Sequence, residues 1–499
     1  MLQYLTSASL GRVFITLSCV LMFSRVGALL PIYNIDGSVF NMKNRGLEPD
    51  TKDYNVIFNT GSITYYATTW ATSNELSSLK GKYPNSSEYN TQLIQLAVQK
   101  HIQKVNDYID SSDPQSTKIN PESIVNISGL FASYPCTITQ KTLEFITSQA
   151  YLKYVQIDGM VEYQMETVNA TSDDYASMFD RAEYKDVGVS LFTKRKRSNT
   201  QLSFQRNPHW GLDRIVNTDR PSILYPYGQG YYYPSSAGEG VVVYVLDSGI
   251  KISHAEFEGR ASYGKNYVND NTSTPEPDDD LNGHGTAVAS LIGGKNLGVA
   301  KKVKLISYKV TRKDSTGMLS WFAQAVGDVI AEATNATDGR LGSLISYSVV
   351  FGSTNTFLNE AAVAAQQAGV PIINAAGNNN KNACITSPTG SGATIAVGSV
   401  DRYDGYAYDT NYGQCVPIYA PGVSVMAASI SSDTGTTTVS GTSFAAPIVS
   451  GAAALLVAND PSLSPTALKD KLVALSTPNV INGTRASSSR NILYLPESF

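Results

Sequence analysis

Four residues have types and neighbours suited to bond-breaking chemistry. Ser443, in Ser440-Gly441-Thr442-Ser443-Phe444-Ala445-Ala446-Pro447, opens a run of small apolar residues expected to form a central helix. A serine at a helix N-terminus gains the positive end of the dipole, and the amides there can face a developing anion. His284 lies in Asn282-Gly283-His284-Gly285-Thr286, one of four histidines in the chain. Glycines on both sides admit close approach to the imidazole, as a proton-transferring base requires. Asp247 ends the apolar run Gly240–Leu246, which puts a carboxylate at the carboxyl end of a buried strand. Asn378, in Asn374-Ala375-Ala376-Gly377-Asn378, follows another buried run and can offer an amide to an oxyanion. Taken singly, each also reads as a cap, a turn or a packed core residue.

The elements that must position these residues alternate. Apolar runs at Gly240–Leu246, Lys302–Val310, Leu344–Phe351, Val370–Ala375 and Thr394–Val400 read as strands buried on both faces, with helical stretches such as Ser320–Ala333 and Asn359–Ala368 between them. That order predicts an α/β fold, a parallel sheet with helices on both faces and a site beyond the carboxyl ends of its strands. Residues 29–197 read differently, as a small α+β domain. Strand character is expected at Tyr54–Phe58, Ile127–Phe131 and Val155–Gln164, and helix at Tyr89–Tyr108 and Gln140–Gln149. It ends in Lys194-Arg195-Lys196-Arg197, which behind a leader reads as a processing site, with Arg197 at the cut.

The first residues supply such a leader. Arg12 precedes the apolar run Val13–Phe23, and small residues near Val26 and Ala28 offer cleavage after position 28. No later stretch is expected to span a bilayer, so no membrane span remains after signal removal. With 16% charged residues and a net charge of −4, the 499-residue chain carries no electrostatic footprint for nucleic acid. Six N-x-Ser/Thr sequons, at Asn85, Asn126, Asn169, Asn271, Asn335 and Asn482, become glycosylation candidates on the secretory route. Cys384 and Cys415 are the natural disulfide pair there, although free buried cysteine is also common.

Asp-Ser-Gly, Gly-His-Gly-Thr, Ala-Ala-Gly-Asn and Gly-Thr-Ser-x-Ala-x-Pro, in this order, together resemble the subtilisin-type serine peptidases, with Trp210–Ile215, Phe257–Arg260, Ala383–Pro388 and Asn411–Cys415 echoing the proteinase K and fungal cerevisin-like subgroup. The resemblance covers about 210–495, and more weakly 53–165, which is similar to the family's inhibitory propeptide. It implies a signal peptide at 1–28, a propeptide at 29–197 and a peptidase domain at 198–499. It also implies an acyl-enzyme mechanism: Ser443 as nucleophile, His284 as base, Asp247 as orienting carboxylate and Asn378 as oxyanion donor. Substrates would be proteins or peptides, with the propeptide as intramolecular inhibitor, in a monomer that is secreted, wall-bound or vacuolar.

Some positions depart from the pattern. Where the family has Ser-Leu-Gly-Gly along the specificity pocket, this chain has Ser348-Val349-Val350-Phe351-Gly352, so side chains replace glycine. The opposite wall reads Ser315-Thr316-Gly317-Met318, and Gly377 with Ser348 and Gly317 completes the expected substrate-binding set. Pro417 stands where relatives often carry a calcium-holding aspartate. No cofactor is expected for catalysis. The acidic run Glu276–Asp280 could hold calcium but reads better as a solvated loop. A dibasic-processing enzyme would want a strongly acidic pocket and usually a further domain; a catalytically weak protein with a binding or cell-wall role is the stronger rival.

Overall fold

In the computed structural model, residues 30–33, 39–40, 52–127, 129–158, 160–162, 202–218, 230–268 and 275–496 are described. The leader, Arg197 and the sequons Asn169 and Asn271 lie outside them.

The valine run ending at Asp247 becomes β1 (Val241–Asp247), buried along its whole length. Around it lie β2 (Ala261–Asn266), β3 (Lys304–Lys309), β4 (Gly342–Tyr347), β5 (Ile372–Ala375), β6 (Ile395–Val400) and β7 (Ile418–Pro421). They form a parallel sheet in the order β2-β3-β1-β4-β5-β6-β7. Successive side chains of a strand point to opposite faces, so β1 is apolar on both. Val241, Val243 and Val245 join one core with helices α1 (His284–Gly293) and α4 (Thr442–Asn459). Val242, Tyr244 and Leu246 join the other, with α2 (Leu319–Thr334) and α3 (Thr356–Gln367). The strand order reverses direction at β1, between β3 and β4, and such a switch point opens a crevice at the strands' carboxyl ends. Among the described residues α4 alone is long and apolar enough to cross a membrane, and 89% of that stretch is buried as the core helix of this fold.

The N-terminal unit is a six-stranded sheet backed by the long helix Ser86–Ser112. Apolar residues recurring at three and four positions, Leu93, Ile94, Ala97, Val98 and Ile102, place one face of that helix against Tyr54, Val56 and Phe58. The opposite face of the sheet does not meet water. Ile57, Phe131 and Tyr154 share a core with Phe322 and Phe357 of α2 and α3.

Three strand expectations need correction. Ile127–Phe131 is the turn between two antiparallel strands, Val125–Ile127 and Phe131–Ile138, with Gly129 at φ +73°. Only glycine adopts that conformation without strain, so the residue that looked like strand filler makes the reversal. Val155–Gln164 is likewise divided: Leu152–Ile157 belongs to the N-terminal sheet, whereas Met160–Glu162 leaves it and pairs antiparallel with Thr316–Met318. Leu344–Phe351 is a strand only to Tyr347, and its last four residues leave the sheet.

Candidate active site

Asp247 stands at the end of β1 with its side chain fully buried. Its Oδ1 accepts hydrogen bonds from the Ser248 amide at 2.8 Å and from His284 Nδ1 at 2.8 Å. A carboxylate on Nδ1 fixes the imidazole tautomer and turns Nε2 outward as the working nitrogen. That nitrogen is buried and has no partner among the described residues. The other three histidines are structural. His101 lies between two tyrosine hydroxyls, while His209 and His254 each accept from a backbone amide two residues on.

His284 is the first residue of α1, and its position is set by Asp280. Asp280 Oδ1 accepts from the amides of Asn282 and Gly283 and from Ser248 Oγ, at 2.8–3.0 Å; Oδ2 accepts from Thr286 N and Oγ1. One buried carboxylate thus caps α1 and ties it to the residue following Asp247. Gly285 permits the contact, since a Cβ there would stand 2.2 Å from the Gly249 carbonyl oxygen. The expectation of a solvated acidic loop is therefore corrected at both ends. Asp280 is consumed by the helix, and Glu276, 5% exposed, pairs with buried Lys309 at 3.3 Å.

Ser443 is the second residue of α4, entered through Gly441 at φ +134°. Ser443 is 1% exposed, and its hydroxyl donates to the Ser348 carbonyl at 2.9 Å. Ser443 therefore makes no hydrogen bond to His284 Nε2 in this arrangement; catalytic hydrogen bonds are often long without substrate and tighten in its complex. Asn378 faces the same corner. Thr442 donates to Asn378 Oδ1 from both N (2.9 Å) and Oγ1 (2.8 Å), which leaves the Nδ2 hydrogens pointing away from that anchor. Gly377, at φ +101°, donates its amide to Thr442 Oγ1. A carboxylate, an imidazole with one open nitrogen, a hydroxyl at a helix start and a fixed amide donor can together carry out acyl transfer.

Comparison with known proteins gives the family. The Subtilase family profile matches residues 238–489. Subtilisin-like protease 3 of Saccharomyces cerevisiae is 32% identical over 390 residues, covering 75% of this chain and 72% of that protein. Subtilisin-like protease 1 of Pseudogymnoascus destructans is 40% identical over 331 residues, 66% of this chain and 77% of the relative. Among solved structures, a cold adapted subtilisin-like serine proteinase aligns with a TM-score of 0.50 at 34% identity, covering 58% of this chain and 98% of that one. The chain belongs to the subtilase family. It is a subtilisin-type serine endopeptidase.

The remaining expected positions fall around this subtilase site. Gly317 pairs with Val161, so the wall assigned to substrate is met by the N-terminal segment. Cys384 and Cys415 form a disulfide with Cα atoms 5.4 Å apart, joining the segment after Asn378 to the one after Asn411. Asn411 entered the sequence reading only as the start of the family-like run Asn411–Cys415, with no role of its own. Fully buried, it accepts from the amides of Asn379 and Lys381 and donates to the Ala376 carbonyl, clamping both sides of Asn378. Beyond that resemblance its signal is a turn-forming Asn-Tyr-Gly, which says nothing about a partner 30 residues away.

Proposed function

We propose that this subtilase hydrolyses peptide bonds through an acyl-enzyme on Ser443, and that it is made as a zymogen on the secretory route. The observation that carries the reading is the 2.8 Å contact of His284 Nδ1 with Asp247 Oδ1, opposite an open Nε2. Ser443 Oγ gives its proton to His284 Nε2 as it attacks the scissile carbonyl carbon. Asp247 holds the ring and stabilises the imidazolium, and Asn378 Nδ2 donates to the oxyanion. Collapse of the tetrahedral species expels the amine, which takes the proton from His284. Water then enters by the same steps in reverse and releases the acid.

The N-terminal unit acts as the inhibitor. Support comes from the pairing of Met160–Glu162 with Thr316–Met318, from Asp158 accepting from the Ser320 amide at the start of α2 (3.3 Å), and from Lys153 bridging to Glu360 at 2.6 Å. Removal of the leader after residue 28, cleavage at Arg197, glycosylation and delivery to the exterior, the wall or the vacuole belong to the same proposal. Substrates are proteins or peptides.

The test treats the purified chain and Ser443→Ala with a fluorophosphonate probe and casein. Labelling and cleavage present in the wild type and absent from the variant are expected. A matured wild type that neither labels nor cleaves would establish instead a catalytically weak protein with a binding or wall role.

A further inference from the structure

β3 is buried from Leu305 onward, yet its last residue is Lys309, 1% exposed. Replacing a buried charge together with its counter-charge by neutral groups is often neutral or stabilising, so stability alone does not account for an ammonium there. Its contacts do. Nζ donates to the Ser248 carbonyl at 2.8 Å and to the Asp279 carbonyl at 3.1 Å, with Glu276 Oε2 at 3.3 Å as counter-charge.

These contacts join the two segments that carry Asp247 and His284. Ser248 follows Asp247 at the end of β1, and Asp279 precedes Asp280, the carboxylate that caps α1 and sets His284. The segments meet backbone to backbone. A Cβ on Gly249 would stand 3.0 Å from both Asp280 N and Asp280 Cα, and 3.1 Å from the Asp278 carbonyl oxygen. Carbonyl oxygens brought this close repel one another, and a cation shared between two of them turns repulsion into attachment. The neighbouring residue of β3 works in the same direction. Lys309 is the register partner of Asp247, and the Val310 amide donates to the Asp247 carbonyl at 2.9 Å. The end of β3 therefore grips Asp247 and Ser248, and through Asp279 it grips the entry to α1. An ammonium has three donor hydrogens about one centre, suited to acceptors arriving from separate segments; a methionine offers none.

We propose that Lys309 is a positioning residue for the Asp247–His284 contact, its ammonium clamping the exit of β1 to the entry of α1. The inference rests on the peptidase reading above and deepens it. A misplacement of about 1 Å at a reacting group can cost about 10²-fold in rate, so loosening this clamp should lower kcat by about 10–100-fold. KM should stay within about twofold, because the partners of Lys309 hold Asp247 and His284 and not the expected substrate-binding set. The test compares wild type, Lys309→Met and the double variant Lys309→Met with Glu276→Gln, each as the full chain. It measures kcat and KM on one peptide substrate, with kcat expressed per site titrated by the fluorophosphonate. The double variant removes the counter-charge along with the charge, and keeps the test answerable where Lys309→Met folds poorly. A residue that only stabilised the fold would reduce the number of titrated sites and leave kcat per site unchanged. Both lysine variants are expected to lose kcat per site by the factor above. Wild-type kcat per site in either variant, or a loss confined to KM, overturns the positioning role and leaves the peptidase intact. A matured wild type that resists labelling overturns both.

Discussion

The two large sheets of this molecule each have a buried histidine beside them, and the contrast between these separates a structural imidazole from a reactive one. His101 in the N-terminal unit has both ring nitrogens occupied, Nδ1 by Tyr151 Oη and Nε2 by Tyr134 Oη, each at 2.8 Å. Among the described residues no carboxylate acts on it; burial, with a smaller contribution from Lys104, pushes its pKa down to about 3. His284 is equally buried, yet one nitrogen rests on Asp247 and the other is open. Burial is common to both. What differs is a charge on one side of the ring and an unclaimed lone pair on the other.

The largest effect that could break this comparison comes from Asp247→Asn. The amide keeps the shape but removes the charge and offers a donor to Nδ1, so the ring takes the wrong tautomer. The expected loss is about 10⁴-fold in kcat, whereas His101→Phe, which lies in the segment removed on maturation, should leave the kcat of the matured enzyme unchanged. Steady-state kinetics on one peptide substrate measures both. A small loss in Asp247→Asn would mean that the carboxylate only packs. Next in size is Asn378→Ala, which removes a donor aimed at the oxyanion and not at the bound substrate. A drop of about 10²–10³-fold in kcat with KM nearly unchanged is expected; a change confined to KM would move Asn378 from transition-state stabilisation to substrate binding.

The same contrast explains what could be read without coordinates. The parallel sheet was legible because β1 is an unbroken hydrophobic run from Val241 to Leu246, a pattern that suits a strand covered on both faces. Asp247 and Asn378 stood out at the ends of buried strand runs, and His284 and Ser443 in short motifs that open apolar helices; the structure brings all four to one corner. Asp280 was misread, since an acidic stretch beside proline has the composition of a solvated loop. Its burial depends on Ser248 and Thr286 arriving from other elements. The clamp that Asn411 puts on the segment around Asn378 was hidden for the same reason, being contacts across 30 or more residues. The two-strand turn at Gly129 was missed because a lone glycine inside apolar residues does not announce φ +73°.

The smallest effect concerns His101 and pH. Its folded pKa of about 3 lies below the unfolded value of about 6.5, so the unfolded chain binds the proton first as pH falls. The stability associated with the neutral ring is fully present above pH 6.5 and is lost progressively on acidification toward pH 3. The slope is about 1.4 kcal/mol per pH unit, so from pH 6.5 to 5 the N-terminal unit should lose roughly 2 kcal/mol. Thermal unfolding followed at pH 7.5, 6.5, 5.5 and 5.0, on the uncleaved chain carrying Ser443→Ala to prevent processing, measures that slope. Adding His101→Phe lowers stability at every pH, because two tyrosine hydroxyls lose their partner, but it should flatten the dependence between pH 6.5 and 5. An equally steep slope in both proteins would place the acid sensitivity elsewhere and leave His101 as packing alone.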